Sequence, residues 1–287
     1  MTKRLIIAFA VLASLLVLEG PSAVSAQDIQ ITGPLAGAPA CRHCRIYREG
    51  RIQIQPTFSF TLQDEYSRSI ILGLQAQYFF TDWLGVGVWG GYNPADIDTG
   101  LTTQVKENGQ TTNRNVLSLP NRAEFGNQVA RFRGAAALQL TFVPLRGKLS
   151  LFQSLFVDTD FYVFGGAALI FVDQRAEISR FENPACASPS AGDLTALCGQ
   201  TERESLLDIT WTAGFGLSMY FNDWIGLSFE WRALPFAWNT GGTDEKNSDG
   251  ETFPDGVIDG NDNIYHFNHM FSLGITIYLP TEAGIGE

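Results

Sequence analysis

Residues 78–92, "YFFTDWLGVGVWGGY", are the clearest indication of the fold, and a near copy, "YFNDWIGLSFEW", spans residues 220–231. Each stretch has aromatic residues, a tight polar turn with Asp-Trp, and then an alternating apolar run. Alternation with period two is typical of a β-strand that has one apolar face. Asp82 and Asp223 can accept hydrogen bonds from the backbone of a tight turn. Both stretches therefore predict two antiparallel strands joined by a short turn.

The same alternation continues along the chain. In the first predicted strand, Ile52, Ile54 and Phe58 share a face opposite Gln53 and Gln55. Eight strands are predicted in all, at residues 51–61, 71–79, 84–92, 131–143, 157–172, 206–221, 225–233 and 265–279. Long connections (93–130, 173–204 and 235–264) alternate with the short turns at Asp82 and Asp223. This alternation predicts an up-and-down array with the long loops on one end.

Charged residues occupy the polar faces of these strands. A soluble lipocalin-like barrel or sandwich would have to bury all of the large apolar side chains, and an eight-stranded barrel has an interior only just filled by side chains. Many of the strands are also longer than the five or six residues usual in soluble proteins. We therefore predict an all-β, eight-stranded antiparallel up-and-down transmembrane β-barrel with its apolar face in lipid. The enclosed charges are predicted to form a salt-bridge network that plugs the lumen, with a narrow ion path as the alternative: Arg131, Arg133, Asp158, Asp160, Asp208, Glu230 and Arg232.

Aromatic residues flank both short turns. Amphipathic rings are favoured at the boundary between lipid and water. We therefore predict that six of these residues form an interfacial belt: Tyr78, Phe80, Trp83, Tyr220, Phe221 and Trp224.

The amino-terminal residues predict export. Lys3 and Arg4 precede an apolar stretch, and Val24 and Ala26 fit positions −3 and −1 of a signal-peptidase site. The predicted organisation is a cleaved signal peptide (1–26), a periplasmic segment (27–50), the barrel (51–280) and a tail (281–287), with a short membrane anchor as the alternative to cleavage. The formal net charge of −11 argues against nucleic acid as a partner. The predicted location is the outer membrane of a Gram-negative bacterium.

Two pairs of cysteines and one acidic loop offer further sites. In an oxidising compartment, Cys41 with Cys44 and Cys186 with Cys198 are predicted to form structural disulfides. In the last long loop, Asp255, Asp259 and Asp262 resemble part of a calcium loop. The EF-hand pattern is incomplete there, because Val257 stands where an oxygen ligand is required. A solvated acidic loop is favoured over bound Ca²⁺, and no other cofactor is predicted.

The runs "CRIYREGRIQIQPTFSFTLQDEYSRSIILGLQAQYFFTDWLGVGVWGGY", "YFNDWIGLSFEWRAL" and "FNHMFSLGITIYLP" resemble the outer-membrane β-barrel domain proteins of myxobacteria and related bacteria. Their fold is similar to that of small OmpA-like barrels. The resemblance covers residues 44–280. It implies an eight-stranded barrel and, for some members, a link to envelope or gliding-motility assemblies. It implies no catalytic residues.

The last strand also resembles the assembly signal that the outer-membrane insertion machinery reads. The matching residues are Ser272, Gly274, Ile277 and Leu279. The chain departs from the pattern because "PTEAGIGE" follows, whereas such strands often end on an aromatic residue. An ordinary amphipathic strand is the alternative.

An enzyme is the least favoured class of function. His266, His269 and Ser272 lie close in sequence, as a lipid hydrolase would require, but alternation places His269 on the opposite face and no nucleophile motif is present. We predict a non-enzymatic anchor or scaffold of a cell-envelope complex whose surface loops bind a ligand. A small pore is the competing prediction. The predicted partners are outer-membrane lipid, the insertion machinery during assembly, and envelope proteins.

Overall fold

The computed structural model describes residues 47–62, 64–109, 125–151, 155–179, 202–245 and 257–281, with side chains except those of 148–151, 155–156 and 178–179. The cysteines, Asp255, the whole predicted signal peptide, and most of the predicted periplasmic segment and tail lie outside these ranges. None of the helices in the described ranges has the length and hydropathy to cross a membrane.

Eight strands close into one antiparallel barrel, which confirms the predicted fold class. The strands are β1 (Ile52–Leu62), β2 (Ser67–Phe79), β3 (Leu84–Asp98), β4 (Arg131–Leu151), β5 (Leu155–Arg175), β7 (Arg203–Tyr220), β8 (Ile225–Trp238) and β10 (Ile264–Leu279). Their order around the barrel is β1-β10-β8-β7-β5-β4-β3-β2. Two short strands, β6 (Ile178–Ser179) and β9 (Val257–Ile258), pair outside the barrel. The helices are α1 (Gly100–Asn108) and α2 (Phe125–Gln128), with a 3₁₀ turn at Gly260–Asp262.

The first and last strands close the barrel. β1 pairs with β10 from Ile52 opposite Leu279 to Leu62 opposite His269. This pairing closes the sheet on itself, which is required in lipid because water is absent there to satisfy free N–H and C=O groups.

The alternating pattern has the orientation that the sequence predicts. On β1 the side chains of Gln53, Gln55 and Ser59 are buried, whereas those of Ile52 and Phe58 are exposed. The exposed apolar residues continue around the wall as one belt, far larger than soluble monomers expose. Its members include Leu72, Leu74, Val88, Leu138, Leu140, Leu207, Ile209, Trp211, Phe215, Leu273 and Ile275.

The two ends of the barrel differ as predicted. At one end, called the turn end, residues 80–83 and 221–224 make the short turns. At the other, called the loop end, the connections span 99–130, 176–202 and 239–263, while β1 and β2 are joined by residues 63–66 alone. Several strands are longer than predicted: β3 ends at Asp98, β4 ends at Leu151, and β5 begins at Leu155.

A β-bulge corrects the predicted faces at the start of β4. Phe132 is opposite Val172 on β5 and Gly134 is opposite Phe171, so Arg133 is an extra residue without a partner in the register. A bulge of this kind reverses the alternation on one side of it. Phe132 therefore lies in the lumen and Arg133 is exposed, the reverse of the prediction for both.

Candidate functional site: the filled lumen

A buried arginine closes the lumen at the turn end. Arg48, just before β1, pairs with Asp160 of β5. Its Nε donates to Tyr278 Oη at 3.0 Å and its Nη2 donates to Tyr220 Oη at 3.4 Å. The two tyrosine hydroxyls lie 3.1 Å apart. We call Arg48, Asp160, Tyr220 and Tyr278 the base cluster. The cavity beside it is only about 10 Å³, which is room for about one water molecule.

The turn between β2 and β3 holds Arg48 in place. The backbone N–H of Arg48 donates to Asp82 Oδ1 at 2.8 Å, and its Nη1 donates to the Asp82 carbonyl at 3.1 Å. Burial alone would raise the pKa of Asp82, but the N–H groups of Arg48 and Glu49 and the Arg146 guanidinium, 3.3 Å away, lower it below its usual value. Asp82 therefore stays ionised and fixes the entry of the chain into the barrel.

A second arginine joins the two ends of the barrel sequence. Arg51 donates from Nε to the carbonyl of Pro280 at 3.0 Å and from Nη2 to that of Thr281 at 3.4 Å. Its guanidinium also lies 5.0 Å from the centre of the Tyr278 ring. These bonds hold the residues before β1 against those after β10.

The middle of the lumen holds an ion pair made within one strand. Glu230 and Arg232 share the inner face of β8 because side chains alternate along a strand. Arg232 Nη2 lies 2.8 Å from Glu230 Oε1 and also donates to Gln139 Oε1 at 2.9 Å. Tyr162 donates to Glu230 Oε2 at 3.2 Å. This middle cluster satisfies both charges, as burial requires.

Aromatic rings cover the guanidinium of Arg232. It lies 4.4 Å from the centre of the Trp89 ring and 4.3 Å from that of Phe164. Such stacking on ring faces suits the planar guanidinium and adds to its stabilisation where water is excluded.

Above the middle cluster the lumen is apolar. Phe236 packs against Phe132 and Trp238, with ring centres 6.5 and 5.3 Å apart. Met270 and Ile170 complete this apolar layer and are fully buried. The lumen is therefore filled along its length by the base cluster, the middle cluster and the apolar layer.

The seven charges predicted to line the lumen do not form one network. Asp160 belongs to the base cluster, and Glu230 and Arg232 form the middle cluster. Asp158 is half-buried next to the base, and Arg131 and Asp208 are half-buried towards the loop end. Arg133 is exposed and lies 2.5 Å from Asp173. The single-network prediction is therefore wrong, partly because the bulge turns Arg133 outward.

The belt of interfacial aromatics needs one correction. Tyr78, Phe80, Trp83, Phe221 and Trp224 are exposed around the turn end, but Tyr220 is only 6% exposed and lies in the base cluster. Both turns have four residues, but the tyrosine lies five residues before the shared Trp in the first stretch and four residues before it in the second. Tyr220 thus occupies the place of Phe79, which is buried too.

The other predicted residues have these positions. Ser272 and Gly274 face the lumen, with Ser272 Oγ 2.7 Å from Ser59 Oγ, whereas Leu279 is exposed and Ile277 half-buried. Whether this strand is read as an assembly signal stays a prediction. Ser272 is thus hydrogen-bonded inside the wall. His269 packs against Trp231, with ring centres 5.5 Å apart, and His266 is half-buried.

In the last loop, Asp259 and Asp262 form the ends of a 3₁₀ turn. Asp262 accepts from the backbone N–H of Glu245 and of Asp259, both at 2.7 Å. Burial raises the pKa of Asp262 to about 6. Among the residues that the structure describes, no group of three or more His, Cys, Asp or Glu is placed to hold a metal ion.

Sequence reasoning missed Arg48, Arg51, Gln139, Tyr162 and Tyr278. Arg51 and Tyr278 could have been found, because each continues the lumen-facing alternation of its strand by one step. Arg48 precedes any strand, so no periodicity points to it.

Three solved barrel structures are distantly similar to this chain. No family model matches the chain, and no curated protein does. The amino-terminal β-barrel domain of OprF from Pseudomonas aeruginosa is 9% identical with a TM-score of 0.40, over 80% of this chain and 98% of that one. OprG from the same organism is 11% identical with a TM-score of 0.41, over 81% and 97%. Ail of Yersinia pestis is 11% identical with a TM-score of 0.34, over 80% and 99%. None of the three supplies an activity or a partner for this chain.

Proposed function

We propose that this protein is a non-enzymatic integral barrel of the outer membrane that anchors or scaffolds an envelope complex. The apolar belt requires a lipid surround, and closed barrels are the β-structures that satisfy their backbone there. The resemblance to myxobacterial barrel-domain proteins adds envelope or gliding-motility assemblies as the class of partner.

The filled lumen is the observation that carries this proposal. An ion crossing the barrel would have to pass Arg48, then the pair of Glu230 and Arg232, and then the rings of Phe132 and Phe236. Displacing a buried, paired charge costs several kcal/mol. The barrel thus supports a binding surface at either end better than a path through its centre.

Planar-bilayer recording tests the closed lumen. The purified full chain should insert and remain electrically silent. A steady and reproducible unit current from the wild-type protein would contradict the proposal and support a pore.

Gentle solubilisation of the membranes and affinity capture tests the scaffold role. One or more envelope proteins should be captured in a fixed ratio to the barrel. A matched barrel with residues 27–46 deleted from the mature chain should separate partners of that segment from partners of the surface loops. Capture of insertion machinery alone would contradict the scaffold role.

A small pore is the second candidate, and one observation favours it. Among the described residues, neither amide atom of the fully buried Gln75 has a hydrogen-bond partner. The hydroxyl oxygens of Thr57 and Ser228 also lack one. Buried polar atoms of this kind usually bind water. A hydrated stretch beside the middle cluster would be the beginning of an ion path, and the bilayer recordings decide between the two candidates.

A further inference from the structure

The barrel wall opens at its loop end between β3 and β4. The two strands pair only as far as Tyr92 opposite Gly134. β3 then continues to Asp98 along β2 alone. The gap forms a half-open cavity of about 250 Å³, called the rim cleft, whose lining includes Tyr66, Tyr92, Asn93, Asp96, Thr102 and Arg131.

Hydrogen bonds fix the walls of the rim cleft. Asn93 Nδ2 donates across the gap to the carbonyl of Phe132 at 2.6 Å and to Asp96 Oδ1 at 2.7 Å. Thr102 of α1 donates to the carbonyl of Tyr66. The cleft is therefore built on two strands and a helix that are bonded to one another, and it is open without any rearrangement.

Charged groups in the rim cleft keep open hydrogen-bonding capacity. Arg131 makes one hydrogen bond, from Nη2 to the carbonyl of Gly126 at 2.9 Å, and no ion pair within the described residues. Both side-chain hydrogen bonds described for Asp96 end on Oδ1. The cleft thus offers guanidinium donors and a carboxylate acceptor together. Arg133 and Asp98 at its margin are already paired with Asp173 and Lys106.

The guanidinium of Arg131 and the carboxylate of Asp96 together disfavour three classes of ligand. A simple anion would be repelled by Asp96 and a simple cation by Arg131, while an apolar ligand would strip water from both without replacing its hydrogen bonds. A hydroxyl both donates and accepts, so neighbouring hydroxyls can bond Arg131 and Asp96 together. The ring of Tyr92, 63% exposed, adds an apolar face at the edge of the cleft.

We propose that the rim cleft binds one pyranose ring of a neutral surface glycan. The volume is below the range of sites for drug-sized ligands, as a single sugar ring requires. The cleft and its chemistry do not depend on the scaffold role. The outer-membrane location proposed above bears only on the source of the sugar, either a glycolipid of the same membrane or a free saccharide.

Titration of the full chain in micelles of a detergent without a sugar headgroup tests the site. The probes are methyl glycosides of glucose, galactose and mannose, followed by saturation-transfer NMR and calorimetry. At least one should bind saturably with a dissociation constant on the order of millimolar, since a single ring makes few contacts. A glycosyl lipid in nanodiscs, compared with the free glycoside, distinguishes the two sources.

Single substitutions assign the binding to the rim cleft. Arg131→Gln, Asp96→Asn and Tyr92→Ala should each weaken binding about tenfold or more, the loss of one good contact. Tyr265→Ala removes an equally exposed tyrosine outside the cleft and should leave binding unchanged. Electrophoretic mobility of the unheated, folded barrel checks that each variant has assembled.

Three outcomes would overturn the proposal: no saturable binding of any neutral glycoside, binding that is equal in all variants, or binding of hexose phosphates alone. None of the three affects the conductance or capture experiments. A failure here is therefore distinguishable from a failure of the scaffold role.

Discussion

Arg48 and Asp160 form a buried ion pair that joins the segment before the first strand to the middle of the sequence. Asp160 lies on β5, opposite Arg146 on β4 and Ser218 on β7 in the barrel register. Around it, the hydroxyls of Tyr278 and Tyr220 accept hydrogen bonds from Nε and Nη2 of Arg48. The pair is thus embedded in a network and differs from an exposed ion pair such as that of Lys106 and Asp98.

Removing Arg48 should strongly destabilise the barrel. Arg48→Ala leaves the Asp160 carboxylate buried without its partner, so the free energy of unfolding should fall by about 3–5 kcal/mol. Urea titration of the protein in lipid vesicles measures the change. Lys106→Ala, which removes a cation from an exposed pair, should cost about 1 kcal/mol or less. Adding Asp160→Asn to Arg48→Ala should restore part of the loss, and two strictly additive effects would contradict the pairing.

The two tyrosines on either side of the wall should respond differently to loss of the hydroxyl. Tyr220→Phe removes an oxygen that accepts from Arg48 and contacts Tyr278, and should cost about 1–3 kcal/mol because the partners stay buried. Tyr78→Phe removes an exposed hydroxyl and should change stability by about 0.5 kcal/mol or less. Equal effects in the same urea titration would mean that Tyr220 does not lie in the base cluster.

A cation on the outer belt should be costly in proportion to its depth. Leu138, 59% exposed, lies in mid-strand, whereas Leu145, 65% exposed, lies beyond the last residue of β4 that pairs with β3. Leu138→Arg should reduce the free energy of folding into bilayers by about 2–4 kcal/mol and Leu145→Arg by about 1 kcal/mol or less. Similar costs at the two positions, or folding of both in plain buffer, would show that the belt does not face lipid.

The connection between β1 and β2 should make stability depend on pH. Burial raises the pKa of Asp64 to about 6 in the folded protein, although Thr61 donates to its carboxylate. An acid whose pKa is raised by folding favours the folded state when protonated, so its contribution declines as pH rises from about 4 to about 6. Asp64→Asn should remove that part of the slope when unfolding is measured at several pH values, and Asp98→Asn is the exposed control. Any slope of this sign left in Asp64→Asn is assigned to Asp262, and an unchanged slope would contradict the burial of Asp64.

The barrel was predictable from sequence where a strand alternates without interruption. β1 is the best case, since its glutamines and serine face inward and its isoleucine and phenylalanines outward, as the pattern predicts. The period of two predicts which side chains face inward, because the wall has lipid on one side and a largely polar interior on the other.

The lumen clusters were less predictable because they depend on register between distant strands. The bulge at Arg133 reverses the faces locally, and sequence alternation alone contains no sign of it. Aligning the two turn sequences by their tyrosines matches Tyr220 to Tyr78 and predicts the wrong side of the wall for it. Aligning them by the shared Trp matches Tyr220 to Phe79, which is buried.

The contacts of Arg48 have a consequence for biogenesis. Its partners come from the turn after β2, from β5, from β7 and from β10, so the full set of bonds exists only once the last strand has been added. A barrel assembled without the last strand would lack the hydrogen bond from Arg48 to Tyr278. Arg48 therefore stabilises the complete barrel more than it stabilises any assembly intermediate that lacks the final strand.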